Sequence, residues 1–479
     1  MGTEYEDLRE WIQKAQSMGE IKTTKAIELE DVGRISELST NFESAPAIIL
    51  DEFPGYKPGH RILINPYGST RRMCLSFGFQ TDLDRIELLE GFKKRVTDVP
   101  LLPPEVVDTG PILENCLEGN DVDLHRFPVP KWHLGDAGPY IGTGCLVITR
   151  DRDEGWVNLA PYRNQLHDKQ TVGFYVSRGH HGWAHRDKYF NRGEPCPVAV
   201  TFGCDPLLFS AGMTELPWGV CEYDWAGGWR EKPIKVVKGP VTGLPIPAHA
   251  EIVIEGFSYP GKTKMEGPFG EWTGYYASDR REEPFIEVQA VYFRNDPILL
   301  AMPPQKPPYD ADKGRQYIKS AQLYNYLTQL GIPGISNAWC YGLGGCRLLV
   351  AVAINQQYCG HSRQVGHAAY ATPIANYAGR YVVVVDDDID VTDINDVMWA
   401  LLTRSDPATS IDIVERATST PLDPRMSPED KTAGLFFNSR AIIDATKPFE
   451  WKDQFPMVVR PDSEYRRESM KKYGHLFDF

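Results

Sequence analysis

Two glutamates flank a short insert that neither a regular strand nor a helix accommodates, in the segment Glu266-Gly-Pro-Phe-Gly-Glu271. Glycine permits backbone angles closed to other residues, and proline fixes one dihedral and lacks a backbone donor. We therefore predict a tight turn or bulge that aims both carboxylates into one cavity. Paired carboxylates in a partly dry site differ in pKa, so that one stays ionised while the other carries a proton. The pair is typical of an acid/base catalyst, and a solvated surface hairpin is the alternative.

Short predicted strands surround this motif. From about residue 106 to 305, β-branched and aromatic runs alternate with Gly, Pro and Asp turns. Many short strands without long intervening helices indicate a barrel or a sandwich. Arg163 and Asn158, about a hundred residues before the glutamates, lie in the same stretch and are the candidate partners of the pair. The clearest predicted strands cover residues 145–149, 198–202, 251–254, 285–293 and 298–302.

Helical periodicity marks the chain on either side of this stretch. A cluster of prolines over residues 100–104 places a domain boundary near residue 105. After residue 304, strands and helices alternate, which implies a mainly parallel sheet. A proline-rich loop over residues 418–432 has the length of a functional lid. The predicted helices cover residues 4–18, 82–96, 312–330, 361–377 and 394–403, and the predicted C-terminal strands cover residues 347–354 and 381–385.

The composition narrows the class of protein. A chain of 479 residues is too long for one core, so two to four domains are expected. The net charge of −14, from 51 basic and 65 acidic side chains, disfavours nucleic acid and anionic lipid as partners. The nine cysteines include no Cys-x-x-Cys pair, which favours reduced thiols. No apolar run is long enough to span a membrane and no secretory signal is visible, so a soluble, cytoplasmic protein is predicted.

Further motifs follow one another in a characteristic order. With the glutamate pair they form the set Trp156-Val-Asn158, Arg163, His181, Cys221-Glu-Tyr223, Ala226-Gly227, Val382 to Asp390, and Ser439 to Thr446. In order and spacing, this set resembles the prenylated-flavin decarboxylases of the UbiD type, which include ferulate decarboxylase. The resemblance covers nearly the whole chain, and the set as a whole is specific although each piece alone is weak.

The resemblance implies an α/β multidomain fold. An N-terminal α/β segment over residues 1–105 would precede a central split β-barrel over residues 106–305, similar to flavin reductases, which binds prenylated FMN. A linker helix over residues 306–330 would lead into a C-terminal α/β domain over residues 331–479. That last domain would contribute to a homodimer or a homohexamer.

The resemblance also implies a metal site that holds the flavin phosphate. Asn158, His181 and Glu222 correspond to the ligands of a divalent metal, Mn²⁺ or Mg²⁺. An amide oxygen, an imidazole and a carboxylate suit such a cation, and the metal explains how an acidic protein binds a phosphate. His180 directly precedes His181 and would take its place if the alignment shifted by one residue.

Other cofactor contacts follow from the same resemblance. Ser210, Ala211 and Met213 lie where the family supplies contacts to the flavin and to K⁺, and Trp156 lies near that monovalent site. Arg380 stands where relatives carry a phosphate-contacting lysine, and its charged, planar guanidinium would bind the phosphate in place of that lysine. The alternative is that Arg380 is a solvated cation at the edge of a strand. The acidic run Asp386 to Asp388 could be read as a metal or ribose site, but we interpret it as structural.

Arg163, Glu266 and Glu271 correspond to the catalytic set of the family. Arg163, itself also a flavin contact, would pair with Glu266 and hold it ionised, while Glu271 would be the proton donor and acceptor. Loss of CO₂ from an sp² carbon leaves a carbanion that needs an electron sink, which no protein side chain provides. The resemblance implies that the sink is prenylated FMN, through a covalent adduct with the substrate, and that the reaction is reversible.

The predicted function is therefore that of a carboxy-lyase acting without net oxidation on an aromatic, heteroaromatic or α,β-unsaturated acid, with a flavin prenyltransferase as cofactor supplier. Two alternatives remain at this point: a glycoside hydrolase that uses the Glu266 and Glu271 pair, and a non-catalytic flavin-binding protein. Neither the substrate nor the physiological direction follows from the sequence. Phe436 and Phe437 are read either as an apolar wall of the substrate pocket or as core aromatics.

Overall fold

A four-stranded sheet supports the N-terminal part of the computed structural model, which describes residues 2–42, 44–459 and 463–476. In spatial order its strands are Ile21–Lys25, Ala47–Asp51, Arg61–Ile64 and Ile298–Ala301. The first and last pairs are parallel and the middle pair is antiparallel. The helices of this part are Leu8–Ser17, Val32–Thr40, Thr70–Phe77 and Arg85–Arg95.

The two predicted N-terminal helices are confirmed, with later starts than expected because a side chain caps each one. Asp7 accepts a hydrogen bond from the backbone N–H of Glu10 and begins the helix Leu8–Ser17. A capping box between Asp84 and Glu87 begins the second, Arg85–Arg95. The predicted apolar face of the first helix is buried throughout: Leu8, Trp11, Ile12 and Ala15.

The strand Ile298–Ala301 belongs to a different sheet from the one that its predicted domain implies. The predicted boundary at residue 305 puts it in the central barrel, whereas it pairs in parallel with Arg61–Ile64 in the N-terminal sheet. A buried run of four apolar residues does not show from its sequence which sheet it completes. This pairing ties the central part back to the N-terminal part.

A curled antiparallel sheet of ten strands forms the central part and carries most of the site. The predicted short strands are confirmed, and the 13-residue strand Arg281–Phe293 pairs with four others. In spatial order the main path is Tyr140–Gly142, Asn164–Asp168, Thr171–Gly173, Arg281–Phe293, Ile252–Ser258, Cys196–Phe202, Cys145–Arg150 and Val157–Ala160. Thr263–Glu266 and Asn115–Glu118 also pair with Arg281–Phe293.

Three helices and a small sheet accompany the curled sheet. The helices are His181–Phe190, Pro206–Met213 and Glu222–Arg230. The small sheet consists of Pro245–Pro247, Lys235–Lys238 and Glu105–Val106. A buried apolar cluster that includes Val147, Val200 and Ile254 covers one face of the curled sheet.

The C-terminal part contains a mixed five-stranded sheet, so the prediction of a mainly parallel sheet is only partly right. Its strands run in the order Ile335–Cys340, Leu349–Ile354, Tyr381–Asp386, Phe437–Ala445 and Ile411–Thr418. The two central pairs are parallel, and both edge strands are antiparallel to their neighbours. The first edge strand is antiparallel because only a short turn joins it to the next, and a parallel pair needs a longer crossover.

The remaining helices pack around this sheet. The helix Asp310–Gln329 is confirmed, and Gly331 after it has a left-handed φ of 75°. The predicted helix over 361–377 is divided at Thr372 and Pro373 into His361–Ala371 and Pro373–Asn376. The other helices are Ile394–Arg404, Pro428–Ala433 and Ser463–Tyr473. Short 3₁₀ helices cover Leu29–Asp31, Pro111–Glu114, Gly119–Asp121, Leu124–Arg126, Gly342–Gly344, Phe449–Gln454 and Gly474–Leu476.

Membrane insertion by a helix has no support in the part of the chain described. None of the helices there combines the length and the apolar character that a bilayer crossing requires.

Candidate active site

Arg163 joins the two glutamates of the motif. Its guanidinium donates to Glu266 through two parallel hydrogen bonds, from Nε to Oε1 at 2.9 Å and from Nη2 to Oε2 at 2.8 Å. Its third nitrogen, Nη1, donates to Oε1 of Glu271. Arg163 lies in the connection between the strands Val157–Ala160 and Asn164–Asp168, which are consecutive in the chain but lie near opposite ends of the curled sheet. The structure thus brings together the three residues for which a catalytic role is predicted.

The insert between the glutamates is irregular backbone and not the predicted tight turn; the turn follows it, where the N–H of Gly274 donates to the carbonyl of Glu271 at 2.8 Å. Glu266 ends the strand Thr263–Glu266, and Gly267 adopts a left-handed φ of 78°. The carbonyl of Pro268 accepts from the N–H of Ala137 at 2.8 Å, which anchors the insert. The solvated-hairpin alternative is wrong, because the exposed fractions of Glu266 and Glu271 are only 1% and 8%.

Burial and the shared arginine set the protonation of the site. Burial raises the pKa of Glu271, and the attraction of Arg163 lowers it without cancelling that effect. Burial acts against the charged form of Arg163, but Glu271 and Glu266 outweigh it, so the pKa of Arg163 is raised. Arg163 therefore stays cationic, and Glu271 holds its proton to a higher pH than an ordinary carboxyl.

Aromatic side chains complete the surroundings of Arg163. The hydroxyl of Tyr140 donates to Oε1 of Glu266 at 3.0 Å, and its ring lies 4.0 Å from that of Phe269. The guanidinium lies 4.5 Å from the ring centre of Tyr175 and 5.5 Å from that of Phe269. Sequence reasoning missed Tyr140 and Tyr175, because a tyrosine in a strand or beside one carries no signal that separates a site residue from a core residue.

A cavity of about 690 Å³, here called the main cavity, opens beside Arg163 and Glu271. The central sheet provides one side of it, and Arg315 and residues of the C-terminal part provide the other. Its walls include Tyr175, Phe269, Trp272, Tyr309, Arg315, Arg347, Tyr377, Thr418, Ser419 and Leu422. The last three belong to the stretch from the end of the strand Ile411–Thr418 into the predicted lid, so this stretch reaches the cavity.

All three predicted metal ligands line the main cavity. Asn158 lies on the strand Val157–Ala160, and His181 and Glu222 are the first residues of their helices. Among the described residues no group of three His, Cys, Asp or Glu side chains could hold a metal ion. The predicted set contributes only two such side chains, since its third member is an amide.

The chemistry of this donor set fits a divalent cation. Burial raises the pKa of Glu222 to about 8, and its Oε2 accepts from the N–H of Leu159 at 2.7 Å. Burial lowers the pKa of His181, which keeps the imidazole neutral as a ligand must be. The Nδ2 of Asn158 is buried and, in the described part of the chain, has no hydrogen-bond partner. A cation would offset the desolvated carboxylate and bind the amide oxygen of Asn158 and the neutral imidazole of His181.

His180 and His181 both reach the main cavity, in different settings. The ring of His181 packs edge-on against Trp156 and Trp218, with centroids 5.2 and 5.3 Å apart. His180 precedes the helix, and its ring centroid lies 6.0 Å from that of Tyr162. The structure therefore leaves both histidines within reach of the cavity.

Only one of the four other predicted cofactor contacts lines the main cavity. Met213 lines the main cavity, whereas Ser210 is buried behind it, with its hydroxyl 2.7 Å from that of Tyr67. Ala211 is also fully buried and is not part of the cavity wall. Arg380 lies in a separate cavity of about 310 Å³ and pairs with Asp423 at 2.6 Å. The structure does not bring Arg380 together with the main cavity.

The acidic run Asp386 to Asp388 and Phe437 both lie away from the main cavity. Asp386 and Asp388 both accept hydrogen bonds from the buried Arg404, at 2.7 and 2.8 Å, which supports the structural interpretation of the acidic run. Phe437 is 44% exposed and lines the same separate cavity as Arg380, so neither reading of it, as a core residue or as a wall of the main cavity, is right.

Comparison with known proteins decides the family. Residues 105–307 match the family model described as 3-octaprenyl-4-hydroxybenzoate carboxy-lyase Rift-related domain, UbiD, and residues 315–445 match the C-terminal domain of the same carboxy-lyase. The chain belongs to the UbiD family. As a UbiD-family protein it is a carboxy-lyase, which excludes the glycoside hydrolase alternative.

Characterised UbiD relatives extend over nearly the full chain. A phenolic acid decarboxylase of Bacillus subtilis is 30% identical over 93% of this chain and 93% of its own. A pyrrole-2-carboxylic acid decarboxylase of Pseudomonas aeruginosa is 30% identical over 86% of this chain and 84% of its own. Both are decarboxylases of ring-bearing acids.

Solved UbiD structures share the fold. The vanillic acid decarboxylase of Sedimentibacter hydroxybenzoicus, in its open form, superposes with a TM-score of 0.86 at 26% identity, over 99% of both chains. The UbiD-class enzyme HmfF of Pelotomaculum thermopropionicum in complex with FMN gives a TM-score of 0.83 at 26% identity, over 96% of this chain and 98% of its own. An evolved dimeric form of HmfF is known in complex with prFMN, the prenylated flavin.

Proposed function

We propose that this UbiD-family protein catalyses the reversible, non-oxidative decarboxylation of an aromatic, heteroaromatic or α,β-unsaturated carboxylic acid, with prenylated FMN in the main cavity. One observation carries the proposal: Arg163 binds both Glu266 and Glu271 at the wall of that cavity. The decarboxylase relatives and the flavin complexes of HmfF support the reaction class and the cofactor.

The proposed cofactor site lies at the end of the main cavity formed by Asn158, His181 and Glu222. These residues would hold Mn²⁺ or Mg²⁺ against the flavin phosphate. K⁺ would bind near Trp156, whose buried Nε1 has no partner among the described residues, and near Met213. When bound, the prenylated flavin supplies the electron sink that decarboxylation of an sp² carbon requires.

The proton step belongs to Glu271. Because burial favours its neutral form, Glu271 can hold a proton near neutral pH and deliver it to the carbon that has lost CO₂. In the reverse direction the same carboxylate takes a proton from that carbon. Arg163 fixes the position of Glu271, and Glu266 fixes the orientation of Arg163 through two hydrogen bonds.

The aromatic walls suit a planar acid. Phe269, Trp272 and Tyr309 line the main cavity between the central and C-terminal parts, and apolar rings exclude water from a bound ring. Exclusion of water strengthens the electrostatic interactions of the glutamates and limits unproductive proton transfer from solvent. The assembly partners proposed with this function are a flavin prenyltransferase as cofactor supplier and further copies of the chain, in a cytoplasmic homodimer or homohexamer.

The proposal is tested on protein co-expressed with a flavin prenyltransferase. Native mass spectrometry should find a bound mass heavier than FMN by one five-carbon unit, together with a divalent metal. The loaded protein should then release CO₂ from at least one acid of a panel that covers phenolic, pyrrole, furan and cinnamate-type carboxylates. A protein that carries only FMN under these conditions, and releases no CO₂, would contradict the proposal. The non-catalytic flavin-binding alternative predicts that second result.

A further inference from the structure

The cations of the main cavity are neutralised with one buried exception. Arg163 binds two carboxylates, and Arg347 and the buried Lys319 share Glu215. Arg315 also lines the cavity, yet it forms no ion pair or hydrogen bond with any carboxylate in the described part of the chain, and its Nε is buried without a partner. Arg178, at the exposed edge, is solvated.

The position of Arg315 is fixed by its helix. It lies in the second turn of Asp310–Gln329, whose first turn is buried in the protein. Tyr309, immediately before this helix, is affected by both residues: burial and Asp312 raise its pKa, Arg315 lowers it, and Glu271 raises it further. The charged groups that most affect Glu271 are instead Arg163, Glu266 and Arg281. Arg315 and Glu271 therefore line the same cavity, and Tyr309 lies near both.

Asp312, three residues earlier on the helix, attracts Arg315 without forming an ion pair with it, but burial raises the pKa of Asp312 to about 7, so that carboxyl is only partly ionised near neutral pH. A guanidinium without a full counter-charge in a half-buried site is costly unless a ligand supplies the anion. The carboxylate that leaves is a poor choice for this ligand. Its charge departs as CO₂ forms, so a cation bound to it would stabilise the bound substrate more than the transition state. An anionic group that remains on the substrate throughout the reaction would keep its interaction with the guanidinium at every stage.

We infer that Arg315 is a specificity-determining residue that binds a second anionic oxygen substituent on the substrate, apart from the carboxylate that is lost. The substrate class is then a ring-bearing acid with a further carboxylate or phenolate. The ring would lie against the aromatic side chains Trp272, Tyr309 and Tyr377, which line the same cavity. This inference rests on the proposed function and narrows its substrate.

The test compares three probes on the cofactor-loaded full chain: benzoate, benzene-1,3-dicarboxylate and benzene-1,4-dicarboxylate. Dissociation constants are measured by calorimetry for the wild type, Arg315→Gln and Arg315→Lys, and CO₂ release from the same acids is measured separately. We expect at least one dicarboxylate to bind the wild type more tightly than benzoate. In Arg315→Gln this dicarboxylate should lose roughly 10- to 100-fold in affinity while benzoate changes by less than about threefold, since one charged hydrogen bond is removed.

Arg178→Gln is the matched control, because it removes an exposed cation from the rim of the same cavity. It should leave the ratio of the two dissociation constants unchanged, and Arg315→Lys should retain part of the preference because it keeps the charge without the fork. Equal losses for benzoate and the dicarboxylate in Arg315→Gln, or no preference in the wild type, would overturn the inference. Loss of bound flavin in Arg315→Gln with an unchanged ratio would assign the guanidinium to the cofactor instead and also overturn it.

Failure of the proposed function gives a different result. Selective binding that depends on Arg315, without CO₂ release from any acid, would sustain the recognition site and contradict only the decarboxylation.

Discussion

Tyr140 and Arg163 donate hydrogen bonds to the same oxygen, Oε1 of Glu266, at 3.0 and 2.9 Å. The tyrosine comes from the first strand of the curled sheet and the arginine from the loop beside the next strand. Two elements therefore converge on one carboxylate, which in turn holds the guanidinium that contacts Glu271. The proton-transfer group is positioned through this chain of contacts.

The first prediction concerns Tyr140. Tyr140→Phe removes one of the hydrogen bonds to Glu266 but keeps the ring that packs on Phe269. We expect kcat to fall by roughly 10-fold, the value of one hydrogen bond, with flavin and metal contents unchanged. Steady-state CO₂ release and native mass measure these quantities. An unchanged kcat would show that Arg163 alone orients Glu266.

The second prediction concerns Arg163. Arg163→Ala removes the link between the glutamates, so kcat/KM should fall by at least roughly 100-fold. The pKa of Glu271 should rise further, because Arg163 is the main group that lowers it. Metal content, measured by elemental analysis, should stay near that of the wild type. Loss of the metal and of all flavin in this variant would contradict the separation between the catalytic set and the metal ligands.

The third prediction concerns the protonation of Glu222. Burial raises its pKa to about 8, so at pH 7 the metal-free carboxyl holds a proton that a metal ion must displace. Calorimetric titration with Mn²⁺ in buffers of different ionisation enthalpy should show release of about one proton per ion at pH 7. Glu222→Gln should release none and bind more weakly. Equal proton release by the variant would remove Glu222 from the ligand set.

The same raised pKa sets a pH dependence of stability. A carboxyl whose folded-state pKa lies above its unfolded value stabilises the fold below the unfolded pKa, and this contribution is lost as pH rises through the folded pKa. For Glu222 the window runs from its ordinary value of 4.5 to about 8. Metal-free protein should therefore show a falling melting temperature across this range, and Glu222→Gln should show a smaller fall.

The fourth prediction distinguishes the two adjacent histidines. His181→Ala should lose the divalent metal, because its neutral ring is the predicted ligand. His180→Ala is the matched control and should retain the metal, since the residue precedes the helix and faces Tyr162. Metal content per chain after dialysis measures both. The opposite pattern would exchange the two roles.

The sequence predicts those parts of the molecule that depend on local chemistry. The Gly-Pro-Phe-Gly insert interrupts regular secondary structure whatever its surroundings, and the apolar spacing of Leu8, Trp11 and Ile12 dictates one buried helix face. The family motifs then identify Arg163 as the partner of Glu266. These features are encoded within a few residues or in a fixed order.

The features that the sequence does not predict depend on contacts between distant segments. Ile298–Ala301 reads as a buried strand, but its partner in the N-terminal sheet lies more than two hundred residues away. Tyr140 gains its role only when the curled sheet brings it to Glu266. Arg380 matches a phosphate contact by its position in the sequence. In the structure, however, it forms an ion pair with Asp423 and lines another cavity. Arg315 stands out only once the partners of the other cations are known.

The measurement that tests the central claim most directly compares Glu271→Gln with the wild type, both loaded with prenylated FMN. Native mass and absorbance establish that each holds the cofactor and the metal. Exchange of deuterium from solvent into the product, at the carbon that loses CO₂, then reports proton transfer. We predict that the variant retains the cofactor and loses both exchange and CO₂ release by at least roughly 100-fold. Exchange and CO₂ release at the wild-type rate would show that Glu271 is not the proton-transfer group.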